Sequence, residues 1–159
     1  MELSLFGKIL VPLDGSEHSL RALETAIEMA KKFDGNITLI HVYSVSVAPV
    51  IMPEPTTLTP SGVPVMAPAE VSKMVDAARD VGNQILTDEK RKVESQNIQV
   101  ETVLKEGNTV QEITKVANEG KFDLIVMGVK GIGKLRELLV GSVSEGVIKH
   151  ASCPVLVVK

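Results

Sequence analysis

Gly128-Val129-Lys130-Gly131, followed after nine residues by Gly141-Ser142, is the stretch on which the reading of this chain turns. An apolar run, Leu124-Ile125-Val126-Met127, leads into it, and a helical pattern rich in Leu and Val follows. A strand that ends in small residues and hands over to a helix N-terminus makes a site for an oxyanion. Backbone N–H groups can approach the anion closely there, and the helix dipole favours negative charge. Turn glycines alone would look similar. The spacing, the Ser after the last glycine and the strand before the first are what point to phosphate.

Working outward, short apolar runs predict strands at about Lys8–Leu13, Asn36–Val42, Ile98–Leu104, Asp123–Gly128 and Pro154–Val158. Helical periodicity fills the intervals. Leu20, Leu23, Ile27 and Ala30 share a face of the first helix. The second, about Ala69 to Gln96, is expected to turn Met74, Ala78, Val81 and Ile85 inward. Thr109 is expected to cap the third helix, with Glu112 completing a capping box. The fourth carries Leu135, Leu138, Leu139, Val147 and Ile148. Strands alternating with helices predict an α/β fold: one open, doubly wound, five-stranded parallel sheet with helices on both faces.

Ligands of such sheets bind beyond the carboxyl ends of the strands, where the strand order reverses. The glycine-rich turn follows the fourth strand and an acidic turn, Asp14-Gly15-Ser16, follows the first. Order 3-2-1-4-5 sets those two strands side by side, whereas 2-1-3-4-5 would not. The first order is therefore expected, over a single domain spanning residues 1–159. Ser44–Pro68 interrupts the alternation with Pro49, Pro53, Pro55, Pro60, Pro64 and Pro68. A loop of that length could fold over a ligand, line a subunit contact or be mobile.

Composition narrows the function. Apolar residues make up 44% of the 159 but aromatics only 3%, so the core must be aliphatic. A formal charge of −3 and few aromatics argue against a nucleic-acid binder. One cysteine excludes an internal disulfide framework. No apolar stretch reaches the roughly 18–20 residues of a membrane span, and Glu2 with no basic flank does not read as a secretory leader. A cytoplasmic protein is the expectation.

The pattern G-x2-G-x9-G-S closely resembles the ATP-binding signature of the universal stress protein family. Ile9-Leu10-Val11-Pro12-Leu13-Asp14-Gly15-Ser16 is similar to that family's first strand and Asp-bearing turn, and Leu39-Ile40-His41-Val42 to its second strand. Gly141-Ser142-Val143-Ser144-Glu145 and Cys153-Pro154-Val155-Leu156-Val157-Val158 resemble its closing helix and strand. The resemblance covers the chain except Ser44 to about Pro68. It implies strand order 3-2-1-4-5, ATP with Mg2+ as the ligand, and a homodimer in stress response. Val129 stands where the family often has a small hydroxyl residue, which removes one possible donor.

The expected ligand contacts fall into three groups. Asp14 could hydrogen-bond a ribose hydroxyl or help to hold a phosphate-bound magnesium. It could also cap the first helix, although Ser16 is better placed for that. Pro12, Leu13 and Val42 would line the base and ribose slot, with Met127 beside them. Gly128, Val129, Lys130, Gly131 and Gly133, then Gly141, Ser142, Val143 and Ser144, would surround the phosphates. Lys134 and Arg136 read as ordinary surface charge.

Other motifs are missing. There is no G-x-x-x-x-G-K-[ST] loop, Arg136 breaks a G-x-G-x-x-G, and Gly141–Gly146 misses a nucleophile elbow by one residue. His18, His41 and His150 have no metal-ligand spacing. Cys153 reads as a small buried residue, not a nucleophile. A nucleotide-binding regulatory module is thus the leading reading. A slow metal-dependent ATPase or phosphate or nucleotidyl transferase is one alternative, and a structural dimer without nucleotide is the other. Val155, Leu156, Val157 and Val158 form an apolar edge strand expected to pair with a second copy.

Overall fold

The computed structural model describes residues 5–45, 67–130 and 140–159. In chain order these form β1 (Lys8–Pro12), α1 (Glu17–Phe33), β2 (Asn36–Tyr43), α2 (Pro68–Glu94), β3 (Val100–Glu106), α3 (Thr109–Glu119), β4 (Leu124–Gly128), α4 (Ser142–His150) and β5 (Val155–Val158). The strands make one five-stranded sheet in the order β3-β2-β1-β4-β5, and every neighbouring pair is parallel. Fold class and strand order are as expected from the sequence.

Side-chain alternation divides the core in two. Ile9 and Val11 of β1, Ile37 and Leu39 of β2 and Leu124 and Val126 of β4 face α1 and α2, and pack on Ala22, Leu23, Ala26, Ile27 and Leu86. Leu10, Ile40, Ile125 and Met127 face the other way, onto Ile113 and Ala117 of α3 and Val147 of α4. Each fully buried aliphatic side chain contributes roughly 1.5–3 kcal/mol. A core with almost no aromatic rings is built by repeating that term on both faces of the three central strands.

Local chemistry sets most helix ends. Ser16 is the N-cap of α1, its hydroxyl accepting from the Ser19 N–H. α3 departs from expectation: its cap is Asn108, whose side chain accepts from Gln111 N at 3.1 Å. Thr109 is the first helical residue instead. Gly107, at φ 147°, turns the chain one residue earlier than the Thr–Glu pairing suggested.

Three further expectations are corrected. Met74 and Val81 of α2 are 43% and 59% exposed, and Gly82, Leu86 and Val93 are the buried residues of that helix. Its apolar residues fall on two overlapping stripes, and close passage over β2 and β3 selects the one that contains a glycine. β3 begins at Val100, not Ile98. Ile98 is buried, but its backbone precedes the first bridged pair, Ile37↔Val100. In α4, Val147 enters the core while Ile148 is 49% exposed. Leu135, Leu138 and Leu139 lie outside the described residues, as does most of Ser44–Pro68.

Candidate functional site: a crevice between β1 and β4

β1 and β4 share only two registered pairs, Ile9↔Leu124 and Leu10↔Ile125. The helices that follow these strands, α1 and α4, pack on opposite faces of the sheet. Leu13 N still donates to Ile40 O of β2 at 2.8 Å. Successive N–H groups of a strand alternate sides, so position 12 faces β4, where the ladder has ended. Proline has no N–H with which to extend the ladder, so the pairing of β1 with β4 stops at Pro12.

The opening is a cleft of about 320 Å³ at the carboxyl ends of the strands. Pro12, Leu13 and Asp14 line one side. The Asp14 carboxylate accepts from Ser16 N at 2.9 Å and holds the turn ahead of α1. A carboxylate has two oxygens, and this bond uses one of them. Met127, Gly128 and Lys130 continue the lining from β4, and Gly141, Ser142, Val143 and Ser144 from the start of α4. Val42 of β2 also lines the cleft.

Gly128 has a packing reason of its own. A Cβ there would stand 2.7 Å from the carbonyl carbon and 2.9 Å from the carbonyl oxygen of His18, in α1. Only glycine lets β4 and the first turn of α1 approach so closely. Gly141 is the N-cap of α4 and has no side chain with which to cap it. Glu145 N makes the first intrahelical bond, to Gly141 O at 2.9 Å. The N–H groups of Ser142, Val143 and Ser144 precede it, as donors at the positive end of the helix dipole.

Ser144 and Val129 brace this geometry through backbone bonds. The Ser144 hydroxyl lies 2.7 Å from Val129 O and 3.1 Å from Gly141 O, so its proton is committed to backbone. Val129 is outside the cleft lining. Its N–H donates to Val158 O at 2.8 Å and its carbonyl accepts from Gly141 N at 2.8 Å, tying β5, the strand exit and α4 together. Gly131, Gly133, Lys134 and Arg136 lie outside the described residues.

Sequence reading missed four lining residues: Ser19, Ile40, Thr109 and Ile113. Ile40 and Ile113 belong to the core and also line the cleft. Thr109 was assigned to capping. Once Asn108 takes that role, the first residue of α3 is left at the rim. Among the described residues no three His, Cys, Asp or Glu side chains gather into a metal-holding group. Cys153 is half-buried against the α3–α4 core, and that burial raises its thiol pKa. It is therefore a poor nucleophile.

The universal stress protein family profile matches residues 5–159. The chain belongs to the universal stress protein family. A universal stress protein of Methanocaldococcus jannaschii is 38% identical over 156 residues, covering 98% of this chain and 84% of that protein. The universal stress protein UspA from Lactobacillus plantarum shares the fold at a TM-score of 0.79 and 24% identity, over 97% of this chain and 98% of that one. Two other solved relatives hold nucleotides. One is a universal stress protein in complex with cAMP (TM-score 0.67, 22% identity, 98% and 99% coverage). The other is a family protein from Arabidopsis thaliana with AMP bound (TM-score 0.65, 22% identity, 96% and 90% coverage). Among the described residues no helix of this stress protein is long and apolar enough to cross a membrane.

Proposed function

We propose that this universal stress protein is a cytoplasmic, single-domain ATP-binding module that works as a homodimer and regulates by binding. The observation that carries the reading is one cleft lined by both Asp14 and the N-terminus of α4, whose N-cap, Gly141, has no side chain. At about 320 Å³ it falls within the range of small-molecule sites. Its inner wall is apolar, from Ile40, Val42, Ile113 and Met127, and suits a purine. Its outer end offers backbone donors to phosphates. Asp14 can take a ribose hydroxyl or one position of a phosphate-bound Mg2+, an ion commonly held by one or two carboxylates plus phosphate oxygens. The nucleotide complexes of relatives support the choice of ligand class.

Titration calorimetry tests the reading. ATP with Mg2+ should bind most tightly, then ADP, then AMP, because the α4 donors lose their partners as phosphates are removed. Equal affinity for all three would place the phosphates away from α4, and no binding of any would leave the structural-dimer alternative.

The dimer would form through β5. That strand is an edge of the sheet, and Val155-Leu156-Val157-Val158 is half-exposed along its whole length. Unpaired edges of this kind invite a second strand, and two copies can pair antiparallel about a twofold axis. Val157→Lys should shift sedimentation toward monomer. A wild-type chain already monomeric at micromolar concentration would overturn the dimer.

A further inference from the structure

We propose that His41 is a positioning residue for the nucleotide site, holding the peptide that carries Asp14 and sparing the backbone of Val42 for the ligand. This rests on the reading of the crevice as an ATP site. Leu13 is buried, so its carbonyl needs a partner. Leu13 N already donates to Ile40 O. Continued as a regular parallel ladder, the Leu13 carbonyl would accept from Val42 N. It is met instead by the His41 side chain, with Nδ1 at 2.7 Å. A carbonyl can only accept, so Nδ1 carries the proton in this pair.

Two consequences follow from that exchange. The Leu13–Asp14 peptide leaves the sheet with its carbonyl satisfied, and the turn closed by Asp14 Oδ1 and Ser16 N starts from a fixed point. The N–H and C=O of Val42, which point to the same side of β2 as those of Ile40, are left at the cleft where β1 has departed. Val42 is one of its lining residues.

The ring needs space, and α2 supplies it. A Cβ on Gly82 would lie 2.6 Å from His41 Cδ2, 3.2 Å from its Nε2 and 2.8 Å from Leu104 Cδ1. Glycine is among the poorest residues for a helix interior, yet only glycine admits the imidazole under this helix. The stripe containing Gly82 is the face of α2 that turns inward. A helix remote from the phosphates thus bears on the geometry of Asp14 through one ring.

The test compares His41→Leu, His41→Asn and Gly82→Ala in the full chain. An asparagine amide can place its N–H where Nδ1 stands, whereas leucine offers similar bulk and no donor. His41→Leu should weaken ATP binding by about tenfold, the scale of a lost hydrogen bond to a buried carbonyl, and His41→Asn should recover most of it. Gly82→Ala, which displaces the ring without removing it, should weaken binding in the same direction. Amide exchange at Ser16 N without nucleotide gives a second readout: faster in His41→Leu and Gly82→Ala, and slowed again in His41→Asn. Unchanged ATP affinity and unchanged Ser16 protection in a folded His41→Leu protein would overturn the proposal, as would equal losses in the Leu and Asn variants. Failure of the wild type to bind ATP would strike the ATP reading instead, while the exchange experiment still decides whether His41 holds the turn.

Discussion

On the β1 side of the crevice the geometry is held by side chains: Asp14 closes its own turn on Ser16 N, and Ser16 caps α1. On the β4 side it is held by backbone. Val129 is bonded to β5 and to Gly141, Ser144 returns its hydroxyl to the same carbonyl, and Gly128 lies against the backbone of His18. The first wall presents a charge and should tolerate changes of shape. The second presents N–H groups, and its form depends on two residues having no side chain at all. A ligand with an anionic end and a hydroxylated middle would use the two walls differently.

Substitutions that separate volume from chemistry should expose that difference. Gly128→Val should have the largest effect. Its added carbons meet α1 backbone, which cannot move away as a flexible side chain could, and overpacking of this kind costs up to about 3 kcal/mol. Urea denaturation should show a lower midpoint, and a midpoint within error of wild type would mean that α1 is free to shift. Asp14→Ala should cost about 1–3 kcal/mol in ATP affinity, read by calorimetry, if its ligand bond is charge-assisted. Asp14→Asn sharpens the point, since it keeps an acceptor for Ser16 N but no charge. Equal losses in both variants assign the role to charge, and a near-normal Asn variant assigns it to the turn. Ser144→Ala should be smallest, about 1 kcal/mol of stability for one hydroxyl bond to backbone, with ATP affinity changed little because that hydroxyl already donates to a backbone carbonyl.

Much of this was legible in one dimension. The strands β1, β2 and β4 were visible because each is buried on both faces and so reads as a continuous aliphatic run. Ser16 as a cap follows from a small hydroxyl residue just ahead of an amphipathic run. The glycine spacing correctly brought the end of β4 and the start of α4 to one place, although at Gly128 the immediate reason is helix packing. What misled were positions where two readings were locally equal. Thr109 and Asn108 both cap well in principle, and the turn at Gly107 decides between them. Met74 and Val81 make as good a stripe as Gly82 and Leu86 until β2 and β3 are beneath the helix. Ile98 is as apolar as a strand residue, and only pairing shows that it precedes the strand.

The sequence by itself determined the order of elements, the parallel sheet, the aliphatic core and the family, because these rest on periodicity and on short motifs whose physics is local. The tertiary structure decided which residues meet at the crevice. Ile40 and Ile113 arrive from β2 and α3, Thr109 is left at the rim, and the imidazole of His41 reaches a carbonyl 28 positions away. Each of those outcomes depends on which surfaces face one another across the sheet, and no local window of sequence holds that information.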